Sequence, residues 1–109
     1  LSLNQFENLF YLTKFSIDQN DIITISQNSF ANLTQITKID LQYQKISHIE
    51  DNAFSNMPNL IEINLTSNNL KLVKGSWFKN LKNLAELKLT FNVISHLTRD
   101  NFQNMTSLI

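Results

Sequence analysis

One spacing governs this chain. Phenylalanine recurs every 24 residues, at Phe6, Phe30, Phe54, Phe78 and Phe102, and asparagine follows two residues later each time, at Asn8, Asn32, Asn56, Asn80 and Asn104. The positions between keep the same register. Leu9, Leu33, Met57, Leu81 and Met105 form one apolar set, and Leu12, Ile36, Leu60, Leu84 and Leu108 form the next. An uninterrupted period of this length is the signature of an array in which each unit buries its apolar face against its neighbours. A single unit has too few apolar side chains to offset the entropy of ordering its backbone, so stability must come from stacking.

Within each period one stretch alternates. Leu60 to Leu70 reads LxxLxLxxNxL, an apolar-polar alternation closed by an amide and a further aliphatic residue. Alternation of period two puts Ile63 and Leu65 on one face of a short strand, and Glu62, Asn64 and Thr66 on the other. Equivalent inward pairs are Phe15 and Ile17, Ile39 and Leu41, and Leu87 and Leu89, which predicts strands near 14–17, 38–41, 62–65 and 86–89. The amide position reads Asn20, Gln44, Asn68 and Asn92. An inward amide has donors and an acceptor to satisfy backbone groups where the chain turns off the strand.

This pattern, with its FxNLxxL segment, resembles the 24-residue extracellular class of leucine-rich repeat. Toll-like receptor ectodomains, Slit-type proteins and secreted insect immune proteins carry that class. The resemblance implies an α/β-type repeat solenoid, a horseshoe segment with a short parallel sheet on its concave face and irregular or 3₁₀ turns on its convex face. It also implies an extracellular recognition module. The departure is Gln44, where the family prefers asparagine: an extra methylene reaches the same loop but fixes it less well.

The period divides the 109 residues into one array: a partial repeat 1–8, full repeats 9–32, 33–56, 57–80 and 81–104, and a stub 105–109. Gly75 and Pro58 are the only glycine and proline, and no linker interrupts the array. The chain has no cysteine, whereas extracellular members of the class close their arrays with disulfide-bearing caps, and both ends fall inside a repeat. The expectation is an internal segment of a longer protein. Nine basic residues balance nine acidic ones, which gives no net field to attract nucleic acid or an anionic membrane. No apolar run is long enough to span a bilayer, and no membrane insertion by this segment is expected.

Function is expected on the concave face, where outward residues fall into columns whose neighbours, on adjacent strands, lie about 4.8 Å apart. One column is Lys14, Lys38, Glu62 and Glu86. The next is Ser16, Asp40, Asn64 and Lys88. The third is Asp18, Gln42, Thr66 and Thr90. Tyr43 and Phe91 stand one step further along, and exposed aromatics offer large contact area at low entropic cost. The charges also suit a solvated face, with Lys38 able to pair with Glu62 or Asp40, and Glu86 with Lys88.

Other chemistry is thin. His48 and His96 share a repeat position, but two strand spacings, about 10 Å, separate them, too far for a common metal ion. Asn32, Asn64 and Asn104 head N-glycosylation sequons, about the number that chance delivers in a chain with 16 asparagines and 18 serines or threonines. In Asn32 and Asn104 the side chain also belongs to the recurring turn position. There is no thiol, phosphate-binding loop or metal-ligand spacing, so no enzymatic activity and no cofactor are expected. The expected function is protein or receptor-ligand recognition in an extracellular ectodomain of immune or receptor type, secreted or membrane-attached, with dimerisation possible through the parent protein. The alternatives are a structural spacer or dimerisation segment of a larger repeat protein, and an intracellular repeat scaffold.

Overall fold

In the computed structural model the described residues are 13–17, 21–27, 29–30, 33–102 and 105–108. The expectations placed on the partial repeat 1–8, on Asp18 and Asn20, and on the sequons at Asn32 and Asn104 lie outside them. Four strands form one parallel sheet: β1 (Lys14–Ser16), β3 (Lys38–Asp40), β5 (Glu62–Asn64) and β6 (Glu86–Lys88), in that spatial order. Two shorter strands, β2 (Thr24–Ile25) and β4 (His48–Ile49), form a second parallel sheet.

The register of the main sheet equals the sequence period. Lys14 pairs with Lys38, Lys38 with Glu62, and Glu62 with Glu86, and the partners at the next position but one are Ser16, Asp40, Asn64 and Lys88. Backbone bonds carry the ladder past the strand ends, from the N–H of Ile17 to Asp40 O (3.2 Å), of Leu41 to Asn64 O (2.9 Å) and of Leu65 to Lys88 O (2.8 Å). Ile39, Leu41, Ile63 and Leu65 are fully buried beneath it, as the alternation predicts. Leu87 and Leu89 are only half-buried. They pack against the core from its margin.

Behind the sheet the phenylalanines form a column. Phe30 stacks on Phe54 at 5.5 Å between ring centroids, and Phe54 on Phe78 at 5.8 Å, while Phe15 meets Phe30 edge-on at 5.4 Å. Offset stacking at these separations adds to the area the rings bury. On the convex side the backbone of the described residues runs in turns and in the 3₁₀ stretches Gly75–Trp77 and Arg99–Phe102. These two touch so closely that a Cβ on Gly75 would lie 3.2 Å from the carbonyl oxygen of Asn101. Among the described residues no helix is long and apolar enough to cross a membrane.

The second sheet and the turn chemistry go beyond the sequence reading. Asn56 and Asn80, two residues after Phe54 and Phe78, hold φ of 61° and 58°. Asparagine tolerates this left-handed region better than other side chains do. Their amides pair with each other, Asn80 Nδ2 donating to Asn56 Oδ1 at 3.0 Å. Asparagine was expected to serve the turn backbone here; it also links one turn to the next.

Candidate functional site

The inward amides fix the edge from which the concave face is built. Asn68 Oδ1 accepts the N–H of Ile46 (3.0 Å), and its Nδ2 donates to the carbonyls of Leu41 (2.9 Å) and Leu65 (3.1 Å). Asn92 repeats this one period later, accepting from Leu70 (3.0 Å) and donating to Leu65 and Leu89 (both 2.9 Å). Gln44 makes part of the set. Its Nε2 reaches Ile17 O (2.9 Å) and Gln42 O (3.1 Å), but its buried Oε1 has no partner. The longer side chain keeps the donor bonds and loses the acceptor bond.

One residue before each amide the backbone is left-handed: φ is 56° at Tyr43, 58° at Ser67 and 56° at Phe91. Aromatic residues seldom adopt such values, which cost on the order of 1–3 kcal/mol and persist where surrounding structure enforces them. Here the ladder does so, with the N–H of Tyr43 bonded to Thr66 O (3.1 Å) and that of Ser67 to Thr90 O (2.8 Å). The result is two strained aromatics flanking Ser67 at the rim of the sheet. Tyr43 is 55% exposed and Phe91 79%.

Across the sheet the charges form one network centred on Glu62. Glu62 Oε1 accepts from Lys88 Nζ at 2.8 Å and lies 3.3 Å from Lys38 Nζ, and Lys88 also reaches Glu86 Oε2 at 3.5 Å. The hydrogen bond from Lys88 is the main cause that holds the Glu62 carboxyl below the usual carboxylate range; partial burial opposes it and Lys38 adds to it. The same bond to Glu62 raises Lys88 above the ordinary lysine value, with Glu86 adding a smaller effect. The sequence foresaw the pairs Lys38–Glu62 and Glu86–Lys88 but not the bridge that Lys88 throws across two strands. Asp40 takes a different role, its Oδ1 accepting the N–H of Gln42 at 3.2 Å.

Asn64 corrects the expected pattern. It was read as an outward residue open to solvent or to a glycan, yet it is only 7% exposed. Its Oδ1 accepts the N–H of Thr66 (3.0 Å) and its Nδ2 donates to Gln42 Oε1 (3.4 Å). A short side chain between Asp40 and Lys88 folds back onto its own turn and is covered by longer neighbours. Lys14, Ser16, Glu86, Lys88 and Thr90 are exposed, and Lys38, Asp40, Gln42, Glu62 and Thr66 are half-buried. His48 and His96 are both exposed. Among the described residues no three metal-ligating side chains cluster. This geometry offers a polar floor with two aromatic contacts at its rim, a surface suited to contact rather than to bond-breaking.

Comparison with known proteins bears on this geometry. A family model of the BspA-type leucine-rich repeat region matches residues 1–109 in six copies. Among solved structures, the chain superposes on the TLR13–ssRNA13 complex with a TM-score of 0.90 and 28% identity, over 99% of this chain and 15% of that one. It superposes on the Drosophila Toll–Spatzle complex with a TM-score of 0.81 and 17% identity, over 97% of this chain and 17% of that one. The second likeness shows the fold alone. This chain therefore spans about a sixth of the length of either neighbour. No curated protein sequence matches it.

Proposed function

The chain belongs to the BspA-type leucine-rich repeat family, and on that premise we propose that its concave sheet is a protein-recognition surface of an extracellular, receptor-type ectodomain with no chemistry of its own. The observation that carries this reading is the pair Tyr43 and Phe91, each exposed and each held at positive φ. The positive φ recurs at Ser67 and belongs to the turn, but a large aromatic held exposed at that position supplies contact area that a solvated face does not need. The neighbours support the class of function: Toll was solved with the protein Spatzle, and TLR13 with a single-stranded RNA.

A protein ligand is favoured over a nucleic acid by the charge of the face. Lys14, Lys38 and Lys88 share it with Asp40, Glu62 and Glu86, two of the three lysines are already paired, and the whole chain has nine charges of each sign. Phosphate recognition depends on unpaired cations in excess. The test is a selection of binders from a library of secreted proteins, repeated with the variant Tyr43→Ala, Phe91→Ala, Lys38→Glu. Partners kept by the wild type and lost by the variant are the expected result. If every partner is retained, contact through this lane is wrong.

A further inference from the structure

A second surface lies on the flank of the array, outside the concave sheet. Beyond their own ladder, β2 and β4 are joined by flanking backbone bonds: the N–H groups of Ser47 (3.0 Å) and His48 (3.3 Å) donate to Ile23 O, and that of Glu50 to Ile25 O (2.9 Å). One period later these bonds do not recur, although the same two turns are joined on either side of the interval by the N–H of Asn69 to Ile46 O (2.9 Å) and of Asn52 to Ser76 O (2.7 Å). Among the described residues, the carbonyls of Ser47 and Ile49 accept nothing, and the N–H groups of Lys71, Leu72 and Lys74 donate to nothing. The interval is a groove of about 190 Å³, with His48 and Ile49 on one wall and Lys71, Leu72 and Lys74 on the other.

Trp77 also lines this groove. It is 2% exposed, and its buried indole N–H has no acceptor. The same repeat position is Ser29, Ala53 and Asn101 elsewhere in the chain, so the large ring is peculiar to this turn. A buried donor without a partner is a cost that folding alone does not explain. The rim is cationic. Lys38, Lys45 and Lys88 are ion-paired, but Lys71 and Lys74 make no ion pair among the described residues. The acids that follow β4 are otherwise engaged, Glu50 with the N–H of Gln27 and Asp51 with the hydroxyl of Ser76.

We propose that the groove between β4 and residues 71–74 docks an extended, acidic segment of a protein partner. Unbonded backbone donors on one wall and acceptors on the other match the alternating N–H and C=O groups of an extended peptide. Leu72, 47% exposed, gives its apolar side chains a contact, and the two lysines select for carboxylates. A nucleic acid would satisfy the lysines but not the open backbone edge.

Trp77 is the only tryptophan and lines this groove, so all tryptophan emission comes from a ring beside it. The experiment titrates the protein with a capped peptide of alternating glutamate and valine, with its glutamine analogue, and with an oligothymidylate of equal charge. A saturable change in emission with the acidic peptide is expected. In the double variant Lys71→Glu, Lys74→Glu the half-saturating concentration should rise about tenfold or more, with far-UV circular dichroism unchanged. Lys79→Glu with Lys82→Glu, exposed positions outside the groove, should leave the titration as it was. The proposal is overturned by any of four results: no saturable change, an equal response to the glutamine peptide, indifference to the Lys71 and Lys74 reversals, or tighter binding of the oligonucleotide.

Discussion

At the scale of single residues the amide position is the most informative, because three copies of it differ by one methylene. Asn68 and Asn92 each accept a backbone N–H that Gln44, with its Oε1 unpartnered, does not. Gln44→Asn should therefore restore one buried hydrogen bond and raise unfolding stability by about 1 kcal/mol, read as a higher denaturant midpoint at unchanged slope. That the glutamine is the weaker version was legible in the sequence; that the loss falls on the acceptor alone was not, since it depends on where the longer side chain places its oxygen. Tyr43 and Phe91 give a second prediction. Replacing either with asparagine should relieve part of the left-handed strain and gain roughly 0.5–1 kcal/mol, and the same variants should lose partner affinity. Thermal melts beside a binding assay would expose that opposition, and a variant that gains both would remove the reason to regard the strain as functional. Nothing in the sequence announced positive φ at these two residues, because aromatics are among the least expected there.

At the scale of elements the period delivered the main sheet down to the cross-strand partners, each strand one residue shorter than the alternation, because a fixed repeat leaves one register that turns the strand aliphatics to a common face. β2 and β4 escaped because a two-residue strand has no alternation to detect; their backbone bonds to a neighbouring turn define them, and those bonds have no sequence code. Asn64 escaped for a related reason, as its burial comes from neighbours on other strands. Two predictions belong here. Phe54 stacks against rings on both sides, so Phe54→Ala should cost about 3–5 kcal/mol, measured by equilibrium unfolding. The Glu62 network predicts a pH dependence. A carboxyl with a lowered folded-state pKa contributes stability above the ordinary glutamate value, about 4.3, and loses that contribution as pH falls through the lower folded value. Denaturant midpoints should drop across that acidic window, and Glu62→Gln should flatten the drop; an equally steep fall in the variant would show that other carboxylates dominate.

At the scale of the whole molecule, order is graded along the array. Leu65 and Leu70 are 0% and 1% exposed, but their equivalents Leu89 and Ile94 are half-buried, and Leu97 is 52% exposed where Val73 is 3%. Hydrogen exchange should accordingly be slowest for the amides of Leu41, Tyr43 and Leu65 and fastest across residues 94–97, since exchange tracks local burial and bonding. An inverted order would mean that the turns do not lend stability to one another. Among the described residues the side-chain bonds that tie turn to turn all span about one period, from 22 residues at Asn68–Ile46 to 28 at Asn101–Val73, and none of them clamps distant turns together. Under tension that arrangement behaves as a zip fastener. Pulled from its ends, the chain should yield one turn at a time, each releasing 24 residues or roughly 80 Å of contour, and the turn seated on Gln44 should give way at lower force than those seated on Asn68 and Asn92. Short reach thus makes the array extensible in measured steps, a mechanical character set by the length of its repeat.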